Sequence, residues 1–238
     1  MWNLNALWRL SPILLFFTIL LSFFFILQCK KKLNILCVDI CLKLCGIILV
    51  FGELAKFIIE KGSFGHLPFY FSSIQIFLIY FLAFYKNKDD DIFKTIYLIC
   101  LVLSFSTTFL LFFFPYIIVG IIKNPLTDFN GFWIVFSHTL VFFVFGLLLM
   151  FRKINFNFKN WVWSIIISFI IAVFMEIISL LINGTFDGTL GDIIGLKHVA
   201  WWYPPLWVLS VTVLSGILSY FLRLIPSFYI NEKPRWKF

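Results

Sequence analysis

Seven apolar stretches, near residues 8–28, 35–56, 67–85, 92–114, 131–151, 161–182 and 206–225, dominate this chain. Each is about long enough to cross a hydrocarbon core of ~30 Å as a helix. The pattern predicts an all-α fold, a polytopic membrane protein built as one bundle of seven transmembrane helices over 1–238. The cations then orient it. The gaps at 29–34, 86–94, 152–160 and beyond 222 carry 13 Lys and Arg, whereas the N-terminus, 56–66, 115–130 and 183–205 carry 5. Cationic loops stay cytoplasmic, so the N-terminus is expected outside and the C-terminus in the cytoplasm of a multi-pass protein of the cell membrane.

A hydrophobic content of 62% excludes an ordinary soluble domain, and the short loops leave no room for a second one. The net charge of +8 lies in loops suited to anionic headgroups. No basic stripe interleaves with exposed aromatics, so membrane lipids rather than nucleic acid are the expected partners. The first apolar run lacks a small-residue cleavage site, and Lys30, Lys31 and Lys32 follow its apolar core, as in an uncleaved anchor. No internal repeat supports an inverted-repeat transporter. Much of the Phe content reads as lipid-facing surface. Asp89, Asp90 and Asp91 beside Lys86 and Lys88 read as a solvated turn without chemistry, and Pro204-Pro205 as the opening of the last helix.

Cys37, Cys41 and Cys45 recur every four residues on one face of the second helix. Metal ligands normally converge from more than one element, and no His approaches at that depth, so these thiols read as packing residues. Cys29, beside three lysines, is a palmitoylation candidate. No nucleotide, haem or metal motif is present, and no cofactor is expected.

An ionisable side chain inside a span costs roughly 2.5–3.5 kcal/mol on insertion scales. Asp39 and Lys43, four apart, can neutralise each other toward the cytoplasmic half. The outer half is richer in polar groups. Glu53 and Lys56 share a face where the second helix exits. The third helix opens on His66-Leu67-Pro68-Phe69-Tyr70-Phe71-Ser72-Ser73-Ile74-Gln75, His138 lies about two turns into the fifth, Glu176 and Asn183 end the sixth, and Trp201, Trp202 and Tyr203 precede the seventh. Each has a plainer reading: small residues for helix approach, an interhelical hydrogen bond, a snorkelling ion pair, an aromatic belt. Their gathering at one depth favours an outward pocket. A hydroxyl, an imidazole and a carboxylate are the recipe for acyl transfer, with Ser72 attacking, His138 taking its proton and Glu53 or Glu176 holding the ring. Free N–H groups at the start of the third helix suit an oxyanion or phosphate. The substrate would present an ester carbonyl in the outer leaflet.

These residues also carry a resemblance. Glu53-Leu54-Ala55-Lys56, then Leu67-Pro68-Phe69-Tyr70-Phe71-Ser72-Ser73, then Ser137-His138-Thr139, Leu181-Ile182-Asn183-Gly184 and Trp201-Trp202-Tyr203-Pro204 follow one another in an order that resembles the YwaF family of bacterial integral membrane proteins. That family is distantly related to a eukaryotic transmembrane acyltransferase of ether-phospholipid remodelling. The resemblance runs from about residue 50 to 210 and implies a membrane bundle with a lipid acyltransferase site. Ser72 stands where the family places a cysteine proposed to bear the acyl group, and Tyr70 where it often has His or Gln. A serine depends more heavily on its base than a cysteine does.

The expected function is therefore that of a divergent lipid or phospholipid acyltransferase. Its catalytic residues would be Ser72 and His138, and its substrate-binding residues Glu53, Lys56, Tyr70, Ser73, Gln75, Glu176, Asn183 and Tyr203. The alternative is a non-catalytic binding or transport protein that takes a small, zwitterionic solute in the same pocket. A scaffold whose polar cluster only locks helix packing is a third reading.

Overall fold

The structure, a computed structural model, describes residues 4–29, 35–59, 71–87, 89–113, 129–150, 156–183 and 203–224. All regular structure among them is helical: α1 (Leu4–Cys29), α2 (Ile35–Ile59), α3 (Phe71–Phe84), α4 (Asp91–Phe113), α5 (Phe129–Met150), α6 (Phe158–Asn183) and α7 (Tyr203–Leu224). Each helix overlies one of the apolar stretches. Three contain segments long and apolar enough to cross a membrane, Pro12–Cys29 of α1, Asp91–Phe113 of α4 and Gly131–Leu149 of α5. The apolar runs of α3, α6 and α7 are shorter. Asp39, Lys43, Glu53 and Lys56 interrupt the equally long α2.

The exterior is apolar too. Ile58 is 73% exposed and Phe51 66%, and Phe16, Phe158 and Phe221 also face outward. Patches of this kind associate in water. Such a surface suits hydrocarbon.

Helices α2, α3, α4 and α5 pack in sequence, and α5 returns to α2, closing a four-helix ring with α3 and α5 on one diagonal. Helix α1 lies outside against α5, with Phe17 and Phe24 packed on Phe143. Helices α6 and α7 pack on each other and on α4. Close approach sets the ring's register. A Cβ on Gly46 of α2 would meet the Tyr80 Cα of α3 at 3.2 Å, so these two antiparallel helices touch almost backbone to backbone. Leu49, Ile79, Leu98, Leu101, Val144 and Leu147 fill the interior, all but removed from solvent. Cys45 joins that core, Cys41 is half-buried and Cys37 is exposed, so the thiol stripe grades from surface to core along α2.

At the end of the ring where α3 and α5 finish and α4 begins, the polar groups are structural. The Asp90 carboxylate accepts the Ile92 N–H at 3.2 Å, as a helix cap does, and the Tyr85 hydroxyl donates to it at 2.6 Å. Asp91 pairs with Lys159 of α6 at 3.0 Å. The Tyr97 hydroxyl donates to the Leu148 carbonyl at 2.6 Å and ties α4 to the last turn of α5. The acidic run read from sequence as a solvated turn is thus the start signal of α4 and half of an exposed ion pair. The signal was there, an Asp immediately ahead of an apolar-periodic stretch.

This cap makes stability depend on acid. The Tyr85 hydroxyl and then the Ile92 N–H favour the charged Asp90, holding its carboxyl below the usual carboxylate range. Because its proton is spent on Asp90, Tyr85 ionises above the usual tyrosine range. A carboxyl depressed on folding stabilises the fold at pH above its unfolded value of ~4, and the contribution disappears as the pH falls through the lower folded value. Thermal melting of the parent and of Asp90→Asn should therefore differ at neutral pH and draw together as the pH is taken below about 4, through the lower folded value. A difference that stays constant down to the most acidic samples would remove this cap from the stability of the fold.

Candidate functional site

At the other end of the ring, where α2 and α4 finish and α3 and α5 begin, the interior changes character within one helical turn on all four helices. Leu49 is followed by Glu53 on α2, Ile79 is preceded by Gln75 on α3, Leu101 is followed by Ser104 on α4, and Val141 is preceded by Ser137 on α5. Every one of these eight side chains is buried. Steps of three or four residues keep a side chain on the same helix face. The polar groups are therefore the continuation of the core-facing stripes.

On the α2–α5 side, the Trp133 indole N–H donates to a Glu53 carboxylate oxygen at 2.9 Å in a buried contact. The ring needs Gly52 to be there: a Cβ at position 52 would overlap the outer ring carbons of Trp133. One glycine thus admits the indole, and the indole fixes the neighbouring carboxylate. His138 lies five residues further along α5. Its Nδ1 stands 2.6 Å from the Ile134 carbonyl oxygen. A carbonyl only accepts, so in the neutral imidazole Nδ1 carries the proton and Nε2 keeps the lone pair. The charges of Glu53 and Lys56 both reach this ring. Of the two carboxylates expected to hold the imidazole, Glu53 reaches it through its charge, and the side chain of Glu176 lies outside the described residues. The ring is held by a backbone carbonyl one turn back, and Glu53 is engaged by Trp133.

On the α3–α4 side, the Gln75 amide N–H donates to the Ser104 hydroxyl at 2.7 Å, and the Thr107 hydroxyl donates to the Gln75 amide oxygen at 3.0 Å. Gln75 is 1% exposed, so both ends of its amide are matched by α4 hydroxyls where water is excluded. This pairing gives its burial a structural cause.

The remaining candidates are placed through their backbones. Ser72 and Ser73 lie in the first turn of α3, Glu176 two turns before the end of α6, Asn183 at its last residue, and Tyr203 at the first residue of α7. Tyr70, like Trp201 and Trp202, lies outside the described residues. Counting about 1.5 Å per residue back from Tyr80 and forward from Gly46 sets Ser72 and Ser73 level with Glu53 and Lys56. Helix α3 stands diagonally across the ring from α5, so Ser72 and His138 occupy opposite corners of its mouth.

The structure thus sets His138 within electrostatic reach of Glu53 and Lys56 and gives Gln75 to α4. It adds Trp133, Ser104 and Thr107, which the sequence reading passed over. Their signal was a run of hydroxyls, Ser104, Ser106, Thr107 and Thr108, inside an apolar helix. Hydroxyls inside an apolar helix can bond to their own helix's carbonyls, as Ser106 and Thr108 do, so that run alone points to no partner. Among the described residues no three His, Cys, Asp or Glu side chains gather as a metal site would require. No family model, curated protein or solved structure matches this chain.

Proposed function

We propose that this chain is a seven-span integral membrane protein, N-terminus outside and C-terminus cytoplasmic, whose ring mouth works as a lipid acyltransferase site at the outer leaflet. The observation that carries the reading is His138. Its Nδ1–H is committed to the Ile134 carbonyl, and among the described residues no partner takes Nε2. An imidazole held in that tautomer is a prepared general base.

In the proposed reaction the Ser72 hydroxyl oxygen attacks the carbonyl carbon of a phospholipid ester while its proton passes to His138 Nε2 along a chain of waters that bridges the opposite corners of the mouth. The carbonyl oxygen becomes an oxyanion beside the free N–H groups that open α3. Collapse breaks the bond to the glycerol oxygen, which takes the proton back from His138 and leaves as a lysolipid. An acceptor hydroxyl then repeats the sequence on the acyl-serine. Glu53 and Lys56 supply charges of both signs for a headgroup. The cation asymmetry of the loops supports the orientation, and the resemblance to the YwaF family supports the bundle and the place of the site more than the activity, since Ser72 stands where that family has a cysteine.

Full-length protein in nanodiscs containing a phospholipid with a labelled acyl chain tests this reading. One acyl mass should appear on the peptide containing Ser72. His138→Ala should slow its appearance about 10²–10⁴-fold, the usual worth of a general base. Unchanged acyl transfer by Ser72→Ala would exclude the mechanism. The solute-binding alternative draws on the opposite charges of Glu53 and Lys56, one turn apart at the mouth. It is favoured if a zwitterionic metabolite raises the melting temperature with no covalent adduct, and if Glu53→Gln removes that rise.

A further inference from the structure

Away from the ring mouth, α6 and α7 enclose a groove of about 420 Å³ open to the exterior, within the size range of ligand clefts. Its floor is Gly216, where a Cβ would come within 3.3 Å of the Ile165 Cδ1. Trp161 and Tyr220 close one end edge-on, with ring centroids 5.8 Å apart. Ile217 and Phe221, 49% and 61% exposed, form part of the outer rim.

The walls offer almost no hydrogen bonds. The Thr212 hydroxyl donates back to the Val208 carbonyl at 2.7 Å, and the Trp161 indole N–H donates to the Gly216 carbonyl at 2.9 Å. What remains for an occupant is methyl and ring surface. A water-soluble solute needs a few placed polar groups to orient it, and a hydrocarbon chain needs none. A second transmembrane helix, about 10 Å across, would need a seam of small residues. Here the single glycine is flanked by Tyr220 and Phe221.

The charge lies at one end. Thr212, Gly216 and Tyr220 follow one stripe of α7 at steps of four, and Arg223 takes the next place on it, in the last turn of the helix. Lys159, paired with Asp91, opens α6 at the same end; in sequence, Arg152 and Lys153 precede α6, and Lys233, Arg235 and Lys237 follow α7. Arginine is the residue type best matched to a phosphate in charge and in hydrogen-bond geometry.

We propose that this groove binds one acyl chain of an anionic phospholipid, with the phosphate at the level of Arg223 in the leaflet of the cationic loops. The proposal rests on the seven-span reading and is independent of acyl transfer at the ring mouth.

The test uses full-length protein in nanodiscs doped with phosphatidylglycerol or phosphatidylcholine, each carrying a photoreactive diazirine near the end of one acyl chain, with adducts mapped by peptide mass. The expected result is adducts concentrated on the peptides bearing Trp161, Ile165, Thr212 and Gly216, several-fold stronger with phosphatidylglycerol. Arg223→Gln should bring the two lipids to the same level. Thr212→Trp, which fills the groove, should abolish the concentrated labelling with both. Labelling of α6 and α7 no stronger than that of the outward faces of α1 and α2 would mean annular lipid only and would overturn the proposal. Crosslinks between copies through these peptides would overturn it in favour of a second chain as occupant. If no acyl probe reaches α6 or α7 while α1 is labelled, the seven-span reading falls, and this site with it.

Discussion

Replacing Gly52 by alanine is expected to destabilise the protein by about 2–4 kcal/mol, far more than one methyl group usually costs. The added Cβ overlaps the outer carbons of the Trp133 ring, so either the ring swings away or α2 and α5 separate. Swinging the ring withdraws the indole N–H from Glu53, a contact made at 2.9 Å in a buried setting. The cost is overpacking plus a lost hydrogen bond to a carboxylate, each worth about 1–3 kcal/mol.

Trp133→Phe separates the two terms. A smaller ring leaves room for the new methyl and has no N–H to lose. Alone it should cost about 1.5–3 kcal/mol, and combined with Gly52→Ala it should cost clearly less than the two single losses together. Unfolding in mixed micelles, followed by circular dichroism so that loss of a tryptophan does not affect the signal, measures all three variants. A Gly52→Ala protein as stable as its parent would mean that the indole does not sit on this glycine. Strictly additive losses would mean that the two positions do not touch.

This pair also marks where the sequence stops being informative. Apolar length located all seven helices, because a stretch of some twenty residues without a strong breaker has few other forms. The cost of burying charge drew attention to Glu53 and His138 for the same kind of reason. Partners are another matter. Nothing in the spacing of Gly52 and Trp133, eighty-one positions apart, says that one receives the other; only the return of α5 onto α2 does. Gln75 was legible as an unusual residue, but its engagement by Ser104 and Thr107 follows from α3 lying against α4. A hydroxyl on an apolar helix carries little information until the facing helix is known. His138 shows the same limit in another form. A triad analogy suggested a carboxylate, Glu53 or Glu176, to hold the ring; inside a helix the carbonyl one turn back is within reach of a short side-chain donor, and here it accepts the Nδ1–H at 2.6 Å.

The second large effect is expected at the opposite end of the bundle, at Asn160, fully buried and absent from any sequence expectation. Its amide oxygen accepts the Asn157 N–H at 2.9 Å, closing the first turn of α6 in the manner of a capping box. Its amide N–H groups point to α4, toward the Asp91 carbonyl at 3.3 Å and the Thr95 hydroxyl at 3.4 Å. One side chain therefore both starts α6 and pins it to the start of α4. Asn160→Ala should cost about 2–3 kcal/mol, since it removes the cap and leaves buried groups on α4 unmatched. Asn160→Asp separates the two jobs. An aspartate still accepts the Asn157 N–H and suits a helix N-terminus, but it cannot donate to α4 when ionised and it faces the Asp91 carbonyl. If the pin matters more than the cap, aspartate does not rescue; recovery to parental stability would show that the local cap was the whole effect. The exposed Lys159–Asp91 pair beside it cannot substitute, because an ion pair open to solvent contributes about 0–1 kcal/mol. Since α6 reaches the ring through α4, a loosened pin would also loosen the packing of α6 and α7 on the ring.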